Sequence, residues 1–346
     1  MKKVMVTGGT GYLGSWVVKY LLDRGYDVQV PVRDQSKNKR HQFLIDFAEK
    51  SHGNLKIWYS VNLLEEGTYL IPMQGCECIF HVASPFSIQS KKPKKELIEP
   101  AVKGTKNVLE AANQTPSVKR IVLTSSVAAI YGDNIDMQEL GVDKFDESHF
   151  NVSSSLTHQP YSFSKVLAEK IAWEISKNQN TWDLVVVNPG FILGPILSKT
   201  SSSESINFMN DILNGKFYFG APSLALSYVD VRDVALAHII AFEKESSVGR
   251  HIVTNKPFTI LQITNIVKQL YGKQFKLPNS ESPKWLTYLI GPIFGVTRRF
   301  IKRNVGYPLF LDNEKSKENL GIEYTSMKNT IDDMIKSLLE FRKQRV

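Results

Sequence analysis

Three observations predict an α/β fold with a doubly wound parallel sheet. Short apolar runs alternate with longer helix-periodic segments, a glycine-rich turn joins the first run to the first helix, and the chemistry-bearing motifs fall where apolar runs end. The expected strands are Lys3 to Thr7, Val28 to Val32, Lys56 to Tyr59, Cys78 to Val82, Arg120 to Thr124 and Leu184 to Asn188. Between them, helical periodicity covers Ser15 to Arg24, Gln42 to Lys50, Pro100 to Asn113 and Ser162 to Lys177. Right-handed crossovers put all the C-terminal strand ends on one edge, where such sheets bind ligands.

After Pro189 the alternation weakens, and serine-rich Ser198 to Ser205 reads as a loop. Ser227 to Val234 and then Ala235 to Glu243 resume a strand-turn-helix pattern, and a short strand pair is expected near His251 to Thr254. The division is therefore a Rossmann domain, 1–188 plus about 225–250, and a smaller, discontinuous C-terminal α/β substrate domain, about 189–224 plus 251–346.

Composition narrows the class. The chain has 346 residues, 42% apolar and 22% charged, which suits a sizeable globular core. Cys76 and Cys78 are too few and too close for a disulfide framework, no metal site is expected, and a reducing cytoplasm is the expected compartment. The apolar run after Met1-Lys2-Lys3 is too short for a signal peptide. Net charge is +9, with short clusters at Lys37 to Arg40, Lys91 to Lys95 and Arg298 to Arg303. These are short, scattered and match no recognisable binding motif, so nucleic acid is not the expected partner. Trp285 to Val296 is too short for a membrane span and reads first as a wall of an apolar pocket. The basic residues that follow it leave a helix lying on an anionic membrane surface as the lesser reading. Monomer and homodimer both stay open.

Thr7-Gly8-Gly9-Thr10-Gly11-Tyr12-Leu13-Gly14 reads as a phosphate cradle. Glycines at a strand end let the backbone turn sharply and approach a pyrophosphate, while the N–H groups of the following helix favour an anion. Two dinucleotide spacings overlap, Gly9-x-Gly11-x-x-Gly14 and Gly8-x-x-Gly11-x-x-Gly14.

Tyr161 and Lys165 stand four residues apart on one face of a helix. A phenol is a poor acid at neutral pH, and a fixed cation beside it is expected to lower its pKa. Thr124-Ser125-Ser126 brings hydroxyls to the ligand edge, where one can donate to a developing oxyanion. Ser126 is preferred; Ser125 stays open, because a one-residue shift reverses side-chain direction.

Together with Asn188-Pro189-Gly190-Phe191-Ile192-Leu193-Gly194-Pro195, these motifs resemble the extended short-chain dehydrogenases/reductases. Val32-Arg33-Asp34, Phe80 to Pro85 and Tyr228 to Ala235 resemble the branch of dihydroflavonol reductases, cinnamoyl-CoA reductases and aldehyde (methylglyoxal) reductases. The resemblance implies reduction of an aldehyde or ketone, with Tyr161 as proton donor, Lys165 as its neighbour and a ribose hydroxyl donor, and Ser126 as partner of the substrate oxygen. It further implies that Val82, Ala83 and Ser84 run along the cofactor with Thr124, that Pro189, Gly190 and Ile192 flank the nicotinamide, and that Ser84, Pro85 and Phe86 face substrate. Phe191 and Tyr228 are further candidates for the substrate wall. His81 reads as a structural strand residue. Asn62, followed by Leu63, stands where these families usually place an aspartate near adenine.

An NAD-preferring fold puts a carboxylate about 20 residues beyond the glycines. Here Arg33 occupies that neighbourhood, its planar fork suited to a 2′-phosphate, with Lys37, Lys39 and Arg40 adding positive charge. NADPH is expected; Asp34 is the residue that would favour NAD by reaching the ribose. The rival enzyme classes are a hydroxysteroid dehydrogenase or a nucleotide-sugar epimerase/dehydratase. A non-catalytic NADP-binding sensor is the rival outside enzymes, though loss of the tyrosine would be its natural mark.

Overall fold

Val4 to Val6, Ile79, Phe80, Ile121, Val122 and Val185 to Val187 are all fully buried, the pattern of parallel strands covered by helices on both faces. The computed structural model describes residues 1–33, 41–84, 92–199, 201 and 203–343. Its strands are β1 (Lys3–Thr7), β2 (Asp27–Pro31), β3 (Asn54–Trp58), β4 (Cys78–His81), β5 (Arg120–Thr124), β6 (Asp183–Pro189), β7 (Phe191–Leu193), β8 (Ala221–Pro222), β9 (Ala225–Asp230), β10 (Gly249–Val253), β11 (Pro257–Thr259) and β12 (Glu281–Ser282). The α-helices are α1 (Tyr12–Asp23), α2 (Gln42–Glu49), α3 (Leu70–Met73), α4 (Glu99–Asn113), α5 (Asp136–Leu140), α6 (Pro160–Lys177), α7 (Glu204–Leu213), α8 (Val231–Glu243), α9 (Ile260–Tyr271), α10 (Lys284–Ile290), α11 (Arg298–Asn304), α12 (Glu314–Leu320) and α13 (Met327–Lys343).

The central sheet has seven parallel strands in the order β10-β6-β5-β4-β1-β2-β3. Strand order reverses between β1 and β4, and the two strands diverge there into opposite crossovers, the crevice where this architecture binds nucleotides. Helix α1 forms because Leu13, Trp16, Val17 and Leu21 share a buried stripe; Gly25, at φ +79°, carries the chain out of it. Helix α6 starts with Pro160, and Gln159 before it is held at φ +53°, a rare conformation for a residue with a Cβ.

The expected strand pair at His251 to Thr254 is corrected. Gly249–Val253 is instead the edge strand of the main sheet, parallel to β6 with Gly249 opposite Val185 and Val253 opposite Pro189. Polar Arg250 and His251 hid its place in the main sheet, since both are buried there rather than exposed. The smaller sheet is β11-β9-β7, with β7 parallel and β11 antiparallel to β9. Within the Ser198 to Ser205 stretch, Ser203 caps α7 by accepting the Ile206 N–H.

Candidate active site

The glycine turn after β1 is shaped by close approach. Gly8 sits at φ +68°, and a Cβ there would lie 2.9 Å from the Ala83 backbone; a Cβ on Gly14 would overlap the Gly8 carbonyl. The Gly11 N–H closes the turn onto Gly8 O at 2.9 Å. Helix α1 then begins at Tyr12 with no side-chain cap and no acidic residue in its first turn. Its first N–H groups and partial positive charge therefore face the crevice. This geometry fits a dinucleotide pyrophosphate, with Thr10 and the main chain of Tyr12, Leu13 and Gly14 at its rim.

Ser126, Tyr161 and Lys165 come together at the same strand edge. Ser126 caps a short 3-10 turn, its Oγ accepting the Ala128 N–H at 3.1 Å, and it shares a hydrogen bond with the Tyr161 hydroxyl. One turn along α6, the Lys165 ammonium lies 5.9 Å from the centre of the Tyr161 ring. Burial pushes the Tyr161 phenol above its ordinary value, with the Ser126 hydrogen bond pulling the other way. The expected lowering is therefore corrected: desolvation outweighs the Ser126 hydrogen bond. Burial also pushes Lys165 down to about 8, opposed by the carboxylate of Glu169.

Ser125 faces elsewhere. Its Oγ donates to Glu169 Oε2 at 2.5 Å, inside a buried network in which Asn188 Nδ2 donates to the same oxygen at 2.9 Å and to Ser126 O at 3.1 Å. Arg250 pairs with Glu169 at 2.6 Å and stacks on Phe150. Glu169, Asn188 and Arg250 were missed in the sequence. Glu169 had a signal, because Tyr161, Lys165 and Glu169 repeat at four-residue spacing on one helix face. Arg250 had none, because the pairing of its strand with β6 was not foreseen.

A second buried cluster holds the start of α6. Asp133 accepts from Gln159 Nε2 at 2.6 Å, His158 Nε2 at 2.8 Å, Asn304 Nδ2 at 2.6 Å and Arg303 Nε at 2.5 Å. These bonds hold Gln159 in its left-handed conformation, two residues before Tyr161. Sequence alone gave no hint of it.

Several residues expected on the cofactor spend their side chains inward. The Thr7 hydroxyl bridges His81 Nδ1 and the Ala83 N–H, and Tyr12 OH donates to Gly194 O at 2.7 Å. Thr124 Oγ1 donates to His238 Nε2 at 2.6 Å, because His238 Nδ1 bonds the Val234 carbonyl and burial holds the ring neutral. Leu63 packs where a Cβ on Gly104 would collide with it, and the Asn62 amide is engaged by Glu65 and the Leu64 N–H. What these positions offer the crevice is backbone.

Val82, Ala83 and Ser84 follow β4 beside the glycine turn, and Pro189, Gly190 and half-buried Ile192 follow the end of β6. A Cβ on Gly190 would meet Ser227 O at 2.5 Å, so the chain bends there against the smaller sheet. Arg33 is exposed two residues beyond β2. Asp34, Lys37, Lys39, Arg40, Pro85 and Phe86 lie outside the described residues. The substrate role expected of Tyr228 is corrected: it is fully buried, ringed by Phe191, Phe208 and Phe258. Phe191 is half-buried in that aromatic cluster. Among the described residues, no cluster of His, Cys, Asp and Glu could hold a metal ion, and no helix is long and apolar enough to cross a membrane.

Residues 4–254 match the model of the NAD dependent epimerase/dehydratase family. A cinnamoyl-CoA reductase of Medicago truncatula is 35% identical over 340 residues, 97% of this chain and 95% of that protein. Tetraketide alpha-pyrone reductase 1 of Arabidopsis thaliana is 33% identical, covering 98% of this chain and 95% of its own. Among solved structures, Gre2 of Candida albicans in complex with NADPH superposes with a TM-score of 0.80 at 28% identity, covering 99% of both chains. The yeast methylglyoxal/isovaleraldehyde reductase Gre2 complexed with NADPH gives 0.79 at 26% identity, again over 99% of both.

Proposed function

We propose that this chain, which belongs to the NAD dependent epimerase/dehydratase family, is an NADPH-dependent reductase that converts an aldehyde or ketone to an alcohol. The observation that carries this reading is the Ser126–Tyr161 hydrogen bond at the ligand edge of the sheet, with Lys165 one helical turn away. Its relatives add support: cinnamoyl-CoA reductase by sequence, and by structure two NADPH complexes, Gre2 of Candida albicans and the yeast methylglyoxal/isovaleraldehyde reductase Gre2.

Bound NADPH supplies the hydride. The chain's own part is to hold the carbonyl and move one proton. The Ala128 N–H donates into Ser126 Oγ and orients the hydroxyl, whose O–H would turn from Tyr161 to the substrate oxygen when a carbonyl enters. Tyr161, kept neutral by burial, carries the proton that this oxygen takes up. The phenolate left behind is met by the Lys165 ammonium, which burial makes a weaker base and a readier proton source. Glu169 balances the lysine charge and, through Asn188, steadies the Ser126 carbonyl. Arg33 would take the 2′-phosphate, and α1 with the glycine turn the pyrophosphate.

The test is oxidation of NADPH and of NADH against aliphatic and aromatic aldehydes, diketones, flavonols, steroids and a nucleoside diphosphate sugar. The reading expects at least one carbonyl to be reduced with NADPH preferred, and Arg33→Ala to weaken NADPH roughly 10-fold or more while sparing NADH. Epimerisation of the sugar nucleotide without any carbonyl reduction would overturn it. An NADH preference in the unaltered enzyme would overturn the cofactor assignment.

A further inference from the structure

We propose that α10, the turn after it and α11 form a docking surface for an anionic lipid bilayer. Helix α10 buries none of its residues. Trp285 is 66% and Ile293 82% exposed, and Tyr288, Leu289, Ile290 and Phe294 are exposed with them. Single exposed apolar residues are ordinary, but a continuous apolar protrusion of this kind marks an interaction site. These side chains are exposed to solvent rather than packed against the core.

The protrusion is rigidly rooted. Ile301 is fully buried beneath it, packed where Gly291 has no side chain, and Arg303 is clasped by Asp133, Asp136 and Glu139. These anchors hold the apolar side of the hairpin away from the core.

Charge selects the occupant. From Ser282 to Leu311 there is no Asp or Glu, and there are five Lys or Arg residues. With Arg303 bound to carboxylates, Lys284, Arg298, Arg299 and Lys302 remain exposed around the apolar tip, and the Arg298 guanidinium lies 5.7 Å from the Tyr288 ring centre. Apolar tip and cationic rim together suit the headgroup–acyl boundary of an anionic leaflet. A symmetric second copy fits poorly, since it would set the same four cations against themselves.

Co-sedimentation with phosphatidylcholine vesicles, with and without phosphatidylserine, tests this. The full-length protein is expected to bind the phosphatidylserine vesicles at physiological salt, with a blue shift of tryptophan fluorescence that Trp285→Phe removes. Ile293→Ser with Phe294→Ser, and separately Arg298→Gln with Arg299→Gln, are each expected to cut binding at least 10-fold without changing thermal unfolding or reductase rate. No binding to phosphatidylserine vesicles would overturn the proposal. So would binding that survives the Ile293 and Phe294 changes, which is adsorption of a cationic protein, or a self-association that the same changes abolish, which assigns the surface to a second copy.

Discussion

The two edges of the central sheet are built from similar residues to opposite ends. At the N-terminal edge, Arg120 on β5 clasps Asp183 through two bonds of 2.8 and 2.6 Å and donates to the carbonyls of Ala241, Lys244 and Glu245. Every guanidinium nitrogen has a partner, and β5, β6 and the end of α8 are pinned together. At the C-terminal edge, five residues further along the same strand, Ser125 closes a buried network while Ser126 turns to Tyr161 and the crevice. Here polar groups are held under tension: Lys165 is pushed down to about 8, Tyr161 is pushed up, and Asn188 Oδ1 is buried with no partner among the described residues. An ionic cluster that is complete contributes stability. One that is incomplete is poised for a ligand.

Substitutions at the two edges should therefore separate rate from stability. Lys165→Met removes the cation that faces the phenolate and is expected to lower kcat/KM by roughly three orders of magnitude, with little change in unfolding. Steady-state rates beside urea unfolding measure both; a loss under 10-fold would deny Lys165 its role. Arg120→Ala is expected to do the reverse, costing about 3 kcal/mol by stranding three carbonyls while leaving kcat within a few-fold.

A finer cut lies between adjacent serines. Ser126→Ala should slow turnover roughly 10- to 100-fold, whereas Ser125→Ala should cost about 1 kcal/mol of stability and leave turnover nearly intact. If the two exchanged effects, the catalytic hydroxyl would be Ser125.

The smallest effect is read in pH. Burial pushes His81 down to about 3 and His238 and His251 down to about 4, while in the unfolded chain each titrates near ~6.5. Between these values the unfolded chain binds more protons, so this stability is whole above pH ~6.5 and is lost as pH falls towards 4. Urea midpoints at pH 7 and 4.5 check the sign; an unchanged midpoint would mean the rings are not held neutral.

What could be read in advance follows from how local each signal is. The glycine turn, α1 and the buried strands each carry their pattern within a dozen residues, and Tyr161 with Lys165 share one helix turn. The smaller sheet does not, because β7 and β11 have three residues each and gain their identity only by pairing with β9. Arg250 reads as a surface cation until β10 is placed beside β6 and Glu169 comes within 2.6 Å. Asp133 gathers His158, Gln159, Arg303 and Asn304 from segments as much as 171 positions away, and no spacing encodes such a meeting. Tyr228 misled for the converse reason: an aromatic near a motif can close the core as readily as line a pocket.

The central claim is that Tyr161 delivers the proton while the glycine turn, α1 and Arg33 hold the cofactor, two separable tasks. The most direct measurement takes one preparation of Tyr161→Phe, titrates NADPH into it by fluorescence, and then follows a single turnover with the best carbonyl substrate. The account predicts NADPH affinity within a few-fold of the unaltered enzyme and reduction slowed roughly 100- to 10,000-fold. Reduction at a near-normal rate with NADPH bound would contradict it.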